Sequence, residues 1–381
     1  MKILMINSAA IGTGIGNIMN LLLKFGTLRY DVLNVDIFGT LKNRTFVNSP
    51  NGETLPLITS KNIITGVSTI LNRNLSRKIC SLIRSRNVRY DIFLLSTTFL
   101  QFLANDLKTE FNIPVVTILH DLGKVSIFSP KSFLVKAYSI WNARKIPSAN
   151  LIITNSEYTR ENLESFLKRR LEGVQIKVVE LAIDCTSFQH YDKKVARQYI
   201  GIPLDKRIIL SIGHDYPPKN ISSLFRAFDL IKDPNVLLLR VGRLMHSKRT
   251  YDKLTYSTKK RIIVMRDVGN DLIPLIYASA DLLVYPSLFE GFGLEIIESA
   301  IMGTPLLFSN IKPMNLIIKG ITMIDEPDNA AEIYEKIEKY FLGILQLSID
   351  SETRSTLTNT YCHNRYVRDM EMALSDVKIA P

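Results

Sequence analysis

Residues 290–305 read EGFGLEIIESAIMGTP, and the fold prediction starts from this stretch. Two acids, Glu290 and Glu298, stand eight positions apart. The apolar run ADLLVYPS precedes them, and the Gly-Thr-Pro that follows is typical of a helix end. We therefore predict a strand, a glycine-rich turn and a helix over about 293–302. Glu290 then lies in the turn, and Glu298 lies on the helix.

The turn before this helix has the chemistry of an anion site. The loop Gly291-Phe292-Gly293 places backbone N–H groups at the positive end of the helix dipole, which favours a phosphate or a developing negative charge. Glu290 can then reach polar groups beside the phosphate, while Glu298 can accept hydrogen bonds from a pair of hydroxyls. An ordinary turn followed by a solvated helix acid is the alternative that these residues leave open.

Short apolar runs alternate with helix-period stretches, the pattern of βα units and parallel sheets. The first half predicts the strands KILMINSA, YDVLNVDIF, DIFLLST, PVVTILHD, NLIITNS and IKVVELA, with helices such as 15–25 and 68–86 between them. The second half repeats the rhythm with RIILSIG, VLLLRVG, RIIVMRD, ADLLVYPS and TPLLFS. A polar, broken seam at 184–205 separates the halves. We predict an α/β protein of two Rossmann-like doubly wound domains, facing a central cleft that binds ligands.

The bulk composition supports a globular two-domain chain. The 381 residues are 46% hydrophobic and 22% charged, which suits more than one core. No apolar run reaches the length of a transmembrane helix, and the opening MKILMINSAA is interpreted as a buried strand. The cysteines Cys80, Cys185 and Cys362 are far apart and fit no metal or disulfide spacing. A reducing, cytosolic setting is therefore expected.

The stretch YPSLFEGFGLEIIESAIMGTP resembles the E-x7-E signature of family-4 retaining glycosyltransferases, which have the two-domain GT-B fold. SANLIITNSEYTRENL is similar to the segment that closes the family's first domain, and ELAIDCTSF to its crossover, with Ala182 in place of a glycine. ILSIGHDYPPKN resembles the loop where a lysine meets the donor diphosphate. We expect an acceptor-side domain at 1–188, a donor domain at 189–360 and a helix at 361–381 that packs back on the first domain.

The resemblance assigns roles to the residues of the opening stretch. It implies that Glu290 and the backbone amides of Phe292, Gly293 and Leu294 hold the donor sugar. It implies that Glu298 holds the ribose hydroxyls. One acid would therefore mark the sugar and the other the ribose, with the diphosphate between them at the start of the helix.

The second cation on the diphosphate is where the sequence departs from the family. The resemblance makes Lys219 the lysine that meets the diphosphate, but the family's nearby arginine is replaced by His214 and Pro218. Arg243, at a strand end, is the candidate second cation, with a plain surface arginine as the alternative. Glu295 stands where the family often has proline, and we expect it to touch none of the donor contacts.

Two further sites are expected in the first domain. The turn IGTGIGN at 11–17, with Asp36 downstream, allows a dinucleotide interpretation, but its third glycine is misplaced for the G-x-G-x-x-G fingerprint. The resemblance instead implies that Gly14 and Gly16 let the backbone approach donor phosphate and acceptor. His120 ends PVVTILH, and a similar TxHD segment of the family lies close to the donor sugar. A purely structural histidine is the alternative.

The resemblance implies a hexosyltransferase that moves a sugar from a UDP- or GDP-linked donor to a sugar, lipid or protein acceptor, and it also implies that the anomeric configuration is retained. No Asp-x-Asp motif stands in a suitable loop and no His/Cys cluster has metal spacing, so metal-independent transfer without a cofactor is expected. Two alternatives remain, a non-catalytic nucleotide-sugar binder on the same fold and an NAD-dependent oxidoreductase that uses IGTGIGN.

The net charge of +12 is unevenly distributed. Residues 1–188 hold 23 Lys/Arg against 13 Asp/Glu, a net +10 that leaves +2 for the remainder. Apolar residues at helical spacing among cations occur at 73–89 and 131–145, which predicts either core helices or salt-sensitive docking on an anionic membrane. No nucleic-acid motif is present. We expect a cytoplasmic protein with peripheral contact to the cytoplasmic membrane face.

Overall fold

The computed structural model describes residues 1–9, 13–36, 47–59, 68–122 and 140–377. The chain divides into two compact units, one of residues 1–182 and 363–381 and one of residues 183–362. The domain boundaries expected from the sequence follow residues 188 and 360, whereas the units of the structure divide after residues 182 and 362. Residues 10–12 of the glycine loop and 131–139 of the second basic stretch lie outside the described residues.

Unit 1 contains a seven-stranded parallel sheet in the order β3-β2-β1-β4-β5-β6-β7. The central strands are buried along their whole length, as expected for a parallel sheet with helices on both faces. This burial explains the continuous apolar runs, and all six strands predicted here are confirmed. The strands are β1 (Lys2–Asn7), β2 (Arg29–Asp36), β3 (Thr54–Thr59), β4 (Ile92–Leu95), β5 (Val115–Leu119), β6 (Leu151–Thr154) and β7 (Gln175–Val178).

Strand β3 was not predicted from the sequence. Its sequence TLPLIT contains Pro56, which lacks the N–H that a central strand needs. The structure pairs β3 with β2 at the edge of the sheet, where a proline is tolerated.

Helices cover the sheet of unit 1, and the C-terminal helix returns to pack against the first one. The ring of His363 stacks on Phe25 with centroids 3.8 Å apart. The carboxylate of Glu371 accepts hydrogen bonds from the backbone N–H groups of Thr27 and Leu28. The helices are α1 (Gly14–Phe25), α2 (Ser68–Ser85), α3 (Ala104–Phe111), α4 (Glu157–Leu167) and the C-terminal helix (His363–Ser375).

The apolar face of α2 lies in the core of unit 1. Leu75, Ile79 and Ile83 are buried among the strands and α3, and Leu82 packs against them. For this helix the core alternative is therefore confirmed, and its apolar face is not available to lipid. Its cations Arg73, Arg77, Lys78 and Arg84 stay exposed.

Unit 2 contains a five-stranded parallel sheet in the order β10-β9-β8-β11-β12, and all five strands predicted here are confirmed. The strands are β8 (Arg207–Ile212), β9 (Val236–Val241), β10 (Ile262–Met265), β11 (Leu282–Tyr285) and β12 (Leu306–Phe308). The helices are α5 (Lys193–Ile200), α6 (Ile221–Leu230), α7 (Lys248–Lys253), α8 (Tyr256–Lys260), α9 (Ile273–Ser279), α10 (Leu294–Ile301), α11 (Met314–Ile317), α12 (Ala330–Phe341) and α13 (Ser351–Tyr361). Within the described ranges, no helix combines the length and the apolar composition needed to cross a membrane.

The expectation that no cysteines pair was wrong. Cys185 and Cys362 form a disulfide whose Cα atoms lie 5.5 Å apart. They are separated by 177 residues, so no local spacing could indicate the pair. A parallel bridge between Ile183 and Cys362 brings the two ends of unit 2 together. Unpaired cysteines were the reason to expect a reducing setting, and the disulfide removes that reason.

A buried arginine joins the first helix of unit 2 to its sheet. The side chain of Arg197 is only 5% exposed and forms an ion pair with Asp281 at 2.6 Å. It also donates to the carbonyl oxygens of Ser279, Leu204 and Lys206 at 2.9–3.1 Å. One guanidinium therefore bonds to four acceptors and fixes α5 against the start of β11.

Replacing Arg197 with Met should lower the free energy of unfolding of unit 2 by about 2–4 kcal/mol, because buried carbonyls would lose their donor and Asp281 its main partner. Lys193→Ala is the matched control. Lys193 pairs with the same Asp281, but its side chain is 46% exposed, so its loss should cost at most about 1 kcal/mol. Urea unfolding followed by circular dichroism measures both, and equal losses would contradict the assignment.

Candidate active site

The candidate site of unit 2 lies where the chain order of the sheet reverses. Strands β8 and β11 pair in parallel, with Leu282 opposite Ile209 and Leu283 opposite Leu210. Their carboxyl ends therefore reach the same edge of the sheet, and the loops that follow them run side by side. In open α/β sheets this switch point is the usual place for a ligand.

The loop after β8 carries Lys219 at the end of a short 3-10 turn, Pro217–Lys219. Asn220 follows in the left-handed conformation, and its side-chain amide donates to the carbonyl of Pro327 at 2.6 Å. The backbone N–H of Leu288, in the loop after β11, donates to the carbonyl of Pro218 at 2.7 Å. These bonds tie the two loops together and fix the direction of the lysine.

Lys219 is the cation of a compact polar cluster. Its Nζ lies 2.9 Å from Glu290 Oε1 and 3.0 Å from Glu295 Oε1. It also contacts the hydroxyl of Tyr285, which donates to Glu290 Oε1 at 2.8 Å. The three charged side chains are 10–21% exposed, so water screens them weakly. The structure therefore brings two of the predicted site residues, Lys219 and Glu290, into contact.

Burial and charge oppose each other in this cluster. Burial disfavours the ammonium of Lys219, but the carboxylates of Glu290 and Glu295 outweigh burial and raise its pKa above the ordinary value. Burial also raises the pKa of Glu290, against the attraction of Lys219. For Glu295 burial acts in the same direction, but Lys219 and the backbone N–H at its helix position hold its pKa below the ordinary value. Lys219 is therefore charged. Of its two carboxylate partners, Glu295 is the one whose ionised form the cluster favours.

The prediction that Glu295 touches none of the relevant groups was therefore wrong. Glu295 lies in the first turn of α10, whose start meets the Lys219 loop because β8 and β11 are neighbours. Its Oε1 would be 3.1 Å from a Cβ at Gly213, so it also packs against the end of β8. Family resemblance alone treats this position as a proline and gives it no contact.

The start of α10 is built as predicted. The helix spans Leu294–Ile301, which confirms the predicted helix to within one residue at each end and places Glu290 in the loop and Glu298 on the helix. Gly293 precedes it with φ +96°, and a Cβ there would lie 2.9 Å from Met314. A side chain at this position would be strained and crowded, so glycine is required. Since the first N–H groups of a helix lack intrahelical acceptors, those of the first turn can face an anion.

Phe292 lies just before helix α10, and Glu298 lies on the helix itself. The ring of Phe292 is buried, edge-on to Tyr361 with centroids 5.7 Å apart, so this residue offers its backbone and anchors the loop. Glu298 accepts a hydrogen bond from the hydroxyl of Tyr277 at 2.7 Å. Burial and the charge of Glu295 raise the pKa of Glu298 to about 8, against the effect of the tyrosine bond. Glu298 is therefore mainly protonated near neutral pH in the unliganded protein.

The candidate second cation, Arg243, lies apart from this cluster. Its side chain is 60% exposed and forms two hydrogen bonds to Asp267 at 2.8 and 2.9 Å, the surface alternative. Sequence reasoning missed Arg240, which is completely buried. Its guanidinium donates to the carbonyls of Ser211 and Gly213, at the end of β8, and of Val241, at the end of β9. A charged residue inside the apolar run VLLLRVG was the signal that could have indicated it.

The predicted residues of unit 1 lie at the end of strand β5 and at the start of helix α1. His120 directly follows β5 and is buried, and its Nε2 pairs with the carbonyl of Ser96 at 3.1 Å. Burial lowers the pKa of His120, so the imidazole is neutral near pH 7. Gly14 opens α1, and the backbone N–H of Gly16 donates to the capping hydroxyl of Thr13 at 3.1 Å. Their roles toward a ligand stay predictions.

The raised pKa of Glu298 makes stability depend on pH. A carboxyl whose pKa rises from 4.5 to about 8 on folding binds a proton more tightly when folded, so stability falls as pH rises through this range. Glu298→Gln should therefore gain about 1–2 kcal/mol over the wild type between pH 5 and pH 8.5. Urea unfolding across this range measures the gain. Glu335→Gln, at an exposed position of α12, is the control, and its difference in unfolding free energy from the wild type should not change with pH. A pH-independent difference for Glu298→Gln would contradict the raised pKa of Glu298.

Comparison with known proteins is consistent with this site. Residues 192–346 match the family model described as glycosyl transferases group 1. The putative teichuronic acid biosynthesis glycosyltransferase TuaC of Bacillus subtilis is 26% identical over 234 residues, covering 60% of this chain and 55% of that protein. The chain spans about half to three fifths of the length of the first curated relatives it matches.

Two solved structures resemble almost the whole chain. Anabaena HepE in complex with UDP and glucose has a TM-score of 0.72 at 17% identity, covering 98% of this chain and 99% of its own. Sucrose-phosphate synthase from Thermosynechococcus elongatus has a TM-score of 0.78 at 17% identity, covering 98% of each chain. At such identity the likeness concerns the fold. The chain therefore has the GT-B fold, and its residues 192–346 are similar to the group 1 glycosyltransferases.

Proposed function

We propose that this protein is a glycosyltransferase that moves a hexose from a nucleoside diphosphate sugar to an acceptor, with retained anomeric configuration and without a metal ion. One observation carries the proposal. The ammonium of Lys219 lies within 3.0 Å of Glu295, in the first turn of α10, so a fixed cation and a helix N-terminus meet at one point. Such a pair suits the diphosphate of the donor.

The transfer breaks the bond between the sugar's anomeric carbon and the distal phosphate oxygen. Negative charge then grows on the departing diphosphate. Lys219 and the backbone N–H groups of Phe292, Gly293 and Leu294 would stabilise this charge, since the loop bonds around Pro218 and Asn220 fix the backbone position of the lysine. Fixed protein donors would thus do what a bound metal ion does in other transferases.

The two acids of the opening stretch would hold the ends of the donor. Glu290 accepts a hydrogen bond from Tyr285 on one oxygen, and we propose that its carboxylate also binds polar groups of the sugar. Glu298 would bind the ribose hydroxyls, with Tyr277 fixing its other side. His120 and the start of α1 at Gly14 and Gly16 are proposed to serve sugar and acceptor, as the resemblance implies.

A uridine or guanosine diphosphate fits this proposal. The similar HepE structure contains UDP and glucose, which supports a UDP-linked hexose as the first donor to try. The group 1 family match and the Lys219 cluster favour sugar transfer over the nicotinamide alternative. A non-catalytic nucleotide-sugar binder is the outcome that binding without turnover would indicate.

Lys219→Ala should lower kcat/KM for donor turnover by about 10²-fold or more, because one fixed cation on a leaving diphosphate acts mainly in the transition state. The measurement is release of the nucleoside diphosphate, coupled to a detection enzyme. Lys248→Ala, an exposed lysine paired with Asp252, is the matched control and should keep full activity.

The same assay tests the rest of the proposal. Arg243→Ala measures whether an exposed arginine serves as second cation. EDTA should leave turnover intact. Wild-type kcat/KM in the Lys219→Ala variant would contradict the role of Lys219. Loss of activity in EDTA that Mg²⁺ restores would contradict metal independence.

We also propose a cytoplasmic protein whose basic first unit touches the anionic face of the membrane, where a lipid-linked acceptor would be presented. Since the apolar face of α2 lies in the core, this contact would be electrostatic and made by cations such as Arg73, Arg77 and Lys78.

Neutralising Arg73, Arg77 and Lys78 to Gln should reduce co-sedimentation with anionic vesicles at low salt, since each cation near such a surface contributes at most about 1 kcal/mol. High salt should abolish pelleting of the wild type. The matched control neutralises three exposed lysines of unit 2, Lys248, Lys253 and Lys260, and should pellet as the wild type does. Equal pelleting with neutral vesicles, or none with anionic vesicles at low salt, would refute the membrane contact.

A further inference from the structure

Glu295 is the member of the Lys219 cluster to which the proposed function gives no role. Two carboxylates, from Glu290 and Glu295, share one ammonium at 2.9 and 3.0 Å. The cluster thus holds one negative charge more than it needs to neutralise the lysine. A site for a doubly charged diphosphate would be expected to carry an excess of positive charge instead.

We propose that Glu295 is a specificity-determining residue: it acts as an internal counter-ion that holds Lys219 in the unliganded protein and that the donor's diphosphate must displace. The inference rests on the proposed function, because it assumes that a nucleoside diphosphate binds at Lys219. It adds that binding at this point is an exchange of one anion for another.

The geometry restricts how Glu295 can respond when it loses the lysine. Its Oε1 packs against the end of β8, where a Cβ at Gly213 would lie 3.1 Å away. The backbone of Gly213 therefore limits how far the carboxylate can move on that side. Glu290 is held by the hydroxyl of Tyr285 at 2.8 Å. Both acids would stay near their present positions while the ammonium turns to the phosphate.

Two carboxylates would then face each other without their shared cation. Their oxygens are at most about 6 Å apart, since each lies about 3 Å from the same nitrogen. Like charges at this distance in a poorly hydrated site favour one shared proton. The other titratable groups around the pair are Tyr285, Glu298 with its partner Tyr277, and the buried Arg240 and Asp215 behind Gly213. None of these supplies a free cation to replace Lys219 beside the pair.

Diphosphate binding should therefore take up a proton. The bound state holds more protons than the free state over the pH range in which the pair titrates, so affinity should rise as pH falls. A nucleoside without phosphate leaves Lys219 with Glu295 and should show no such coupling. This contrast also separates the pair from Glu298, which faces the ribose in the proposed function.

The experiment measures Kd by isothermal titration calorimetry for UDP, GDP, uridine and guanosine between about pH 6 and pH 9. Wild type and Glu295→Gln are compared with the same ligand, so that the ligand's own titration cancels. We expect Glu295→Gln to bind the diphosphate on the order of tenfold more tightly at the alkaline end, because one like charge is removed from the site. Its excess proton uptake, read from buffers of different ionisation enthalpy, should vanish. Affinity for the nucleoside should not change.

Glu295→Asp is the conservative control, since it keeps the charge and should keep the pH dependence. Glu295→Ala is the second neutral variant, and thermal unfolding checks that each variant folds. Equal or weaker diphosphate binding by both neutral variants, or a wild type without excess proton uptake, would overturn the role of Glu295. Absence of UDP and GDP binding to wild type and variants alike would instead overturn the proposed function, and this inference with it.

Discussion

The parallel pairing of β8 with β11 is the constraint on which the candidate site depends. These strands are distant in the chain, yet their ladder brings their carboxyl ends to one edge of the sheet. The short turn that carries Lys219 and the loop that carries Glu290 meet there, and the bond from Leu288 to Pro218 locks them. Neither loop is an anion site alone. Together they supply a fixed cation, a helix N-terminus and oriented acids.

The electrostatic balance at this edge is unusual for a site that would bind phosphate. Lys219 is the cation among three neighbouring carboxyls, of which Glu298 is mainly protonated near neutral pH and Glu290 is pushed in the same direction. Arg240 lies behind the site, but it is committed to carbonyl oxygens. The cluster is thus satisfied without ligand, which stabilises the unliganded form and makes ligand binding an exchange of partners.

The sequence predicts features that depend on neighbouring residues, and it does not predict contacts between residues that are far apart in the chain. The strands and α10 were predictable because burial and helix ends leave periodic, local signals. Edge strand β3 was not, since Pro56 contradicts the usual strand pattern. The contacts of Glu295 and the pairing of Cys185 with Cys362 depend on residues 76 and 177 positions away, which only the completed sheet brings together. The partners of Arg240 are backbone carbonyls, which leave no trace in residue identities, so its charge within the apolar run VLLLRVG was the only signal in the sequence.

The return of the C-terminal helix to unit 1 has a consequence for how the protein is made. Unit 1 is assembled from both ends of the chain, and Tyr366, Met370 and Leu374 of its last helix are buried in it. During synthesis, residues 1–182 emerge first but wait for that helix until all of unit 2 has left the ribosome. Unit 2 is continuous, and it can close on its own as soon as its last strand and helices appear. The later half of the chain can therefore reach its native structure before the earlier half does, and a nascent chain that stops short leaves the apolar surface of α1 open to aggregation.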